Sequence, residues 1–240
     1  MAGVASKSHS LLCALATPFL LAPAMGYFLV QSTWRKVHEI GLAESHKGSI
    51  PVISVGNIAI GGTGKTPFVI YLVEQLLNKG LNPCVISRGY KGMYTEEMVV
   101  LEDGISQAPK LNAIYVGDEP YLMASALAGK SPVIVGKDRL RCVEFAAANL
   151  MCDIAVLDDG FQHLRLKRDV DIVLLSGHED YMFPLGVLRE PISALNKADF
   201  VILNENEELC SGKIRDLLSS SKPYKFRSVP ACLSGMKTGK

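Results

Sequence analysis

Paired cysteines, a charge excess and internal repeats are all missing from this chain, and each absence narrows what it can do. The six cysteines (Cys13, Cys84, Cys142, Cys152, Cys210 and Cys232) are scattered, with no C-x-x-C spacing among them. Neither a disulfide framework nor a zinc site is indicated, and a reducing compartment is the simplest reading. Cys84 and Cys152 fall in or beside apolar runs, where cysteine serves as a small hydrophobe. A formal net charge of +1 leaves no electrostatic footprint for nucleic acid. No repeat or low-complexity tract interrupts the 240 residues, enough for one large domain or one domain with appendages. What is abundant is apolar: 48% hydrophobic against 20% charged, with a mean hydropathy of +0.21. That exceeds most cytosolic enzymes and prompts a search for a membrane contact.

The apolar surplus has an address. Leu11 to Val30 is almost unbroken apolar sequence, followed by Arg35, Lys36 and His38. It is long enough to cross a bilayer as a helix. Pro18 and Pro23 predict kinks, so an interfacial or re-entrant lie is equally allowed. A cleaved signal peptide and a buried core helix are the competing readings. The Arg/Lys flank on the domain side argues against the former. The expectation is a membrane-anchoring segment over residues 1–42.

Beyond a mostly polar linker (Ala43 to Ser49) the pattern alternates. Strand-like runs are Pro51 to Val55, Cys84 to Ser87, Met98 to Leu101, Ala113 to Val116, Pro132 to Val135, Ile154 to Leu157, Asp171 to Leu175 and Phe200 to Leu203. Helical patterns cover Thr66 to Asn78, Pro120 to Ala128, Leu140 to Leu150 and Glu207 to Ser219. Near-continuous β-branched strands between helices predict an α/β fold: a mostly parallel sheet with helices on both faces. In such sheets the ligand crevice lies beyond the C-terminal strand ends.

The first of those ends carries the strongest signal. Gly61-Gly62-Thr63-Gly64-Lys65-Thr66 lies between the strand-like Val52 to Val55 and the helical Pro67 to Lys79. This context predicts a phosphate-binding loop, running from Ala59 and Ile60 into the helix. Small residues let backbone N–H groups turn inward around a polyphosphate, Lys65 reaches the β/γ-phosphates, and the Thr66 hydroxyl serves Mg²⁺. The full consensus has glycine where this chain has Ala59, a mild change with Gly61 and Gly62 close by. ATP or GTP is the expected ligand, with Mg²⁺.

Further polar clusters follow other strands: Ser87-Arg88-Gly89-Tyr90, Gly117-Asp118-Glu119-Pro120, Gly136-Lys137-Asp138-Arg139 and Asp158-Asp159-Gly160-Phe161-Gln162-His163. An apolar strand ending in aspartate is how a phosphate-loop enzyme sets a carboxylate on Mg²⁺ or its water. Asp158 and Asp159 have that position, although helix capping or an Asx-turn is the structural competitor. Asp118 and Glu119 form a second acidic pair, for which capping is an equal rival. A carboxylate there suits phosphoryl transfer to an alcohol by accepting its proton. Arg88, Lys137, Arg139 and Arg189 are the cationic candidates. His163 reads equally as a structural residue.

These clusters occur as PVISVGNIAIGGTGKTP, SRGY, VGDEP, VGKDR, LDDGFQH and PLGVLREP, in that order behind the apolar segment. In this the chain resembles the tetraacyldisaccharide 4'-kinase family over nearly its whole length. The resemblance implies transfer of the ATP γ-phosphate to the 4'-hydroxyl of a tetraacyldisaccharide 1-phosphate, completing lipid IVA on the cytoplasmic face of the inner membrane. It implies Asp118 as catalytic base, with Lys65, Asp158 and Asp159 in the catalytic group. Thr66, Glu119, Asp159 and Glu190 would surround the metal. Arg88, Tyr90, Arg139, Gln162 and Arg189 would bind nucleotide or acceptor. ATP and Mg²⁺ are the implied cofactors, and a lipid disaccharide and a membrane surface the implied partners.

One departure stands out. The family's C-terminal part carries a histidine that pairs with the base matching Asp118, and no histidine follows His178 here. Residues 43–228 read as the kinase domain and 229–240 as the start of a further lobe. The sequence therefore reads as a fragment, a truncated product or a degenerate copy, with nucleotide binding but weak or absent turnover. Two alternatives stand beside the kinase: a non-catalytic homologue that binds ATP only, and a membrane-associated phosphate-loop ATPase switch. Partitioning ATPases of the latter kind carry a lysine where this chain has Ile60, which argues against them.

Overall fold

β-branched and other apolar residues crowd the strands because both faces of the sheet are covered. The structure, a computed structural model, describes residues 2–101, 112–175, 181–204 and 224–227, with side chains left undescribed for 2–18, 39 and 204. In chain order the elements are α1 (Ala2–Glu39), β1 (Val52–Asn57), α2 (Lys65–Asn78), β2 (Pro83–Ser87), β3 (Met98–Leu101), α3 (Ala113–Val116) and α4 (Asp118–Ala126). Then come β4 (Val133–Gly136), α5 (Arg139–Asn149), β5 (Ile154–Asp158), β6 (Val170–Leu175), a 3-10 turn (Ile192–Lys197), β7 (Phe200–Asn204) and β8 (Tyr224–Phe226).

The strands form one sheet in the order β3-β4-β2-β5-β1-β6-β7-β8. All neighbours are parallel except β3 and β4. On one face Val55, Val85 and Val156 pack with Phe68, Val69 and Val73 of α2 and Met123 of α4. On the other, Cys84, Ile86 and Leu157 meet Cys142, Val143 and Ala146 of α5. Cys84, Cys142 and Cys152 are buried as apolar filling, and none of the three is in a disulfide. β1 lies between β5 and β6, and Val55 stands opposite Asp158. The loop leaving β1 therefore passes directly beyond the carboxylate that closes β5.

Two expectations need correcting, and one strand was not expected. Ala113 to Val116 is a helical turn, not a strand. The Asn112 side chain caps it by accepting from the Tyr115 N–H at 2.9 Å, and Gly117 closes it at φ 98°. A four-residue apolar run has no period of its own, and the cap decides. The sheet gains a strand, β8, that the pattern did not reveal. Of the N-terminal apolar membrane helix, expected either to cross the bilayer or to lie at its interface, the crossing form is not found: among the described residues no helix is long and apolar enough to cross a membrane. α1 does form as one helix with Pro23 inside it. Within its described side chains the apolar run covers only residues 19–30 before Gln31, Ser32 and Thr33. The helix expected over Glu207 to Ser219 lies outside the described residues.

Candidate active site

The site is assembled where β1, β2, β5 and α2 converge. β1 ends in Asn57, buried, and the chain loops through Ala59, buried, and Ile60, exposed, to Gly64. Gly61 (φ 126°) and Gly64 (φ 79°) hold left-handed backbone that disfavours side chains, while a Cβ at Gly61 would meet nothing within 4 Å. The demand there is conformational, not steric. Gly64 caps α2 without a side-chain bond, so the first N–H groups of a 14-residue helix remain open to an anion. Gly62 is exposed on the loop. Thr63 is buried, and its Oγ1 accepts from Asn57 Nδ2 at 3.2 Å. Lys65 and Thr66 open the helix, both half-buried.

Against this loop stands the Asp158–Asp159 pair. Asp158 closes β5 in near-complete burial; its Oδ2 accepts from Ser87 Oγ at 3.0 Å, and its Oδ1 has no partner. Burial, reinforced by the charges of Glu119 and Asp159, pushes its carboxyl up to about 6, against the pull of Ser87 and Lys65. Asp159 is held the other way. Burial works to raise its pKa, but two Arg189 bonds (3.1 and 2.9 Å), Lys65 Nζ at 3.7 Å and the nearby Arg139 keep it below the ordinary range. Arg139, buried, donates to the Asp159 carbonyl at 3.0 Å. Arg189 also donates to Asn57 Oδ1, and Gln162 Nε2 donates to the Asn57 carbonyl at 2.7 Å. Asn57 thus ties the phosphate loop to both the Asp159 and the Arg189 segments.

A cavity of about 740 Å³ opens over this arrangement. Of the expected residues it is lined by Ala59, Ile60, Gly61, Lys65, Arg88, Tyr90, Glu119, Arg139, Asp158, Asp159, Gln162 and Arg189. Asp118 is exposed on the first turn of α4, beside Glu119 but outside the lining. Glu190 is buried behind the cavity, where Arg35 of α1 donates to it from Nε at 2.8 Å and again from Nη2. Ser87, Lys137, Leu164, Arg165, His163 and Trp34 complete the wall. Burial, then Arg139 and Arg168, push the His163 imidazole down to about 4, so it is neutral at physiological pH. Sequence reasoning missed Asn57, Trp34, Arg35 and Arg165. Asn57, a polar residue ending an apolar strand just before the loop, was the one with a readable signal.

Three cations converge on two carboxylates with a glycine loop and an open helix end between them. That set fits a polyphosphate with its divalent cation: Lys65, Arg139 and Arg189 meet negative oxygens, and the orphaned Asp158 Oδ1 suits a cation or its water. Among the described residues no group of three carboxylate, histidine or cysteine side chains stands close enough to hold a metal alone. A cation here would share its ligands with phosphate and water, as Mg²⁺ commonly does.

Comparison with known proteins gives concordant matches. The family model described as tetraacyldisaccharide-1-P 4'-kinase matches residues 16–239. A tetraacyldisaccharide 4'-kinase of Desulfotalea psychrophila is 43% identical over 178 residues, 70% of this chain and 50% of that protein. One from Geobacter sulfurreducens is 37% identical over 220 residues, 90% of this chain and 58% of that protein. The crystal structure of LpxK from Aquifex aeolicus in complex with ATP superposes with a TM-score of 0.72 at 32% identity, covering 90% of this chain and 64% of its own. The chain spans about half the length of the curated relatives it matches.

Proposed function

Because the chain belongs to the tetraacyldisaccharide-1-P 4'-kinase family, we propose that it forms the ATP-binding part of a kinase that phosphorylates the 4'-hydroxyl of a tetraacyldisaccharide 1-phosphate. One observation supports this above the rest. Lys65, Arg189 and Arg139 all turn toward Asp159 at the mouth of a phosphate loop, beside a buried Asp158 with a free oxygen. When bound, Mg²⁺ would neutralise the phosphate oxygens, and Thr66 and Asp158 would hold it or its water. Lys65 and Arg189 would exchange part of their attraction to Asp159 for the β- and γ-phosphates, and so keep charge balanced as negative charge moves in the transition state. Glu119 and Asp118, on the first turn of α4, stand at the acceptor side. Asp118 is the carboxylate assigned to take the hydroxyl proton. Residues 1–42 would seat the site at the cytoplasmic face of the inner membrane, where an acylated acceptor resides.

Donor binding is the first test. Titration calorimetry should show Mg-ATP binding that Lys65→Ala weakens by tenfold or more; no binding by the unaltered chain would remove the proposal. Acceptor choice is tested with γ-labelled ATP and a tetraacyldisaccharide 1-phosphate in detergent. Label should pass to the lipid, and phosphate release unchanged by the lipid would contradict the acceptor assignment.

A further inference from the structure

α1 reaches the donor site through one face. Ala24, Tyr27, Gln31, Trp34, Arg35 and His38 recur at spacings of three and four, which places them on one side of the helix. Ala24 is buried, Tyr27 meets Phe183 edge-on at 5.8 Å between ring centres, and Trp34 lines the cavity. Arg35 goes deepest. Its guanidinium donates to Glu190 from two nitrogens and lies 4.6 Å from the Phe161 ring centre.

Those two partners belong to the two segments that frame the phosphate loop. The Glu190 and Arg189 N–H groups both bond the Ile58 carbonyl, at 3.2 and 2.8 Å, and Arg189 holds Asp159 and Asn57. Phe161 is fully buried two residues after Asp159, hard against Gly56 of β1. One side chain therefore clamps the Asp159–Gln162 turn and the Arg189–Glu190 segment together from behind, without lining the cavity. Glu190 is buried, so without Arg35 its charge would lose its main compensation and draw on Arg189, the neighbour that serves the phosphates.

We infer that Arg35 is a positioning residue: by holding Glu190 and Phe161 it makes the seating of α1 on the domain and the affinity for nucleotide thermodynamically linked. The inference rests on the donor-site reading. If α1 docking favours nucleotide, nucleotide must favour α1 docking by the same factor. The test uses both directions. Arg35→Ala should raise the dissociation constant for Mg-ATP about tenfold, within the usual range of such couplings, with Arg35→Lys intermediate because it keeps the charge but not the fork. In a Glu190→Gln background Arg35→Ala should add little, since its partner's charge is already gone. Conversely, Mg-ATP should slow tryptic cleavage after the exposed Lys36 in the unaltered chain and not in Arg35→Ala. Arg35→Ala binding nucleotide as tightly as the unaltered chain, or cleavage after Lys36 indifferent to nucleotide, would overturn the inference while leaving the donor site standing. Failure of the unaltered chain to bind Mg-ATP would overturn both. Should Arg35→Ala fail to fold, Arg35→Lys and the protease protection of the unaltered chain still decide.

Discussion

Near pH 8 Asp158 carries a charge that its burial opposes, so its role is readable from pH. Its pKa, about 6 in the folded chain against 3.8 ordinarily, favours the protonated folded state. The stability this contributes is present below the unfolded value and lost as pH rises through about 6. Asp158→Asn should therefore be more stable than the unaltered chain at pH 8, by up to about 3 kcal/mol. The gap should close as pH falls below about 6. Binding of Mg-ATP has the opposite slope: it needs the ionised carboxylate, so affinity should fall as pH drops through about 6, and Asp158→Asn should be weak and flat. Calorimetry at a series of pH values checks both; a variant no more stable at pH 8 would show that the charge is better compensated than its burial implies. Much of this site was legible beforehand. Lys65, Asp158 and Asp159 announce themselves by following apolar strands. Asn57 carried a signal of the same kind, while Trp34 and Arg35 did not, because their roles come from a segment distant in sequence that only the fold brings to the site.

At the level of elements, the close approach of β1 to the turn after β5 is the most demanding fit. A Cβ on Gly56 would lie 2.6 Å from Phe161 Cβ and 2.9 Å from its backbone N. Neither atom can move without shifting the turn that carries Asp159. Gly56→Ala should cost about 2–3 kcal/mol in denaturant unfolding, as overpacking does, and should weaken nucleotide binding as well. The cap of α5 offers a milder contrast. Asp138 accepts from the Arg141 N–H at 3.2 Å, and Asp138→Ala should lose about 1 kcal/mol. Long periodic segments such as α2 and α5, and the apolar runs of β1, β2 and β5, were readable in the sequence because period and length agree. Ala113 to Val116 was not, since four apolar residues suit either a strand or a helical turn. β8 was not either: Tyr224 to Phe226 is three residues, its first two exposed, with no apolar run to mark it.

Across the whole molecule, α1 carries two adjacent faces, one docked and one exposed. The face of Tyr27, Trp34 and Arg35 meets the domain. Beside it Leu21, Met25, Phe28 and Leu29, spaced i, i+4, i+7 and i+8, form an exposed apolar stripe. We propose that this stripe lies in a membrane interface. Full burial of four such side chains is worth about 1.5–3 kcal/mol each, an upper bound for a helix only partly immersed. Placing charges on the stripe removes that gain and leaves the docking face alone. Met25→Asp combined with Leu29→Asp should abolish co-sedimentation with phospholipid vesicles while leaving the affinity for Mg-ATP in detergent within about twofold, since small uncoupled surface changes rarely reach a distant site. Loss of both together would mean that the stripe itself seats α1 on the domain. Retained vesicle binding would place the lipid contact elsewhere on the chain. The expected split would establish that a single helix meets the lipid along one line and holds the nucleotide loop along the next.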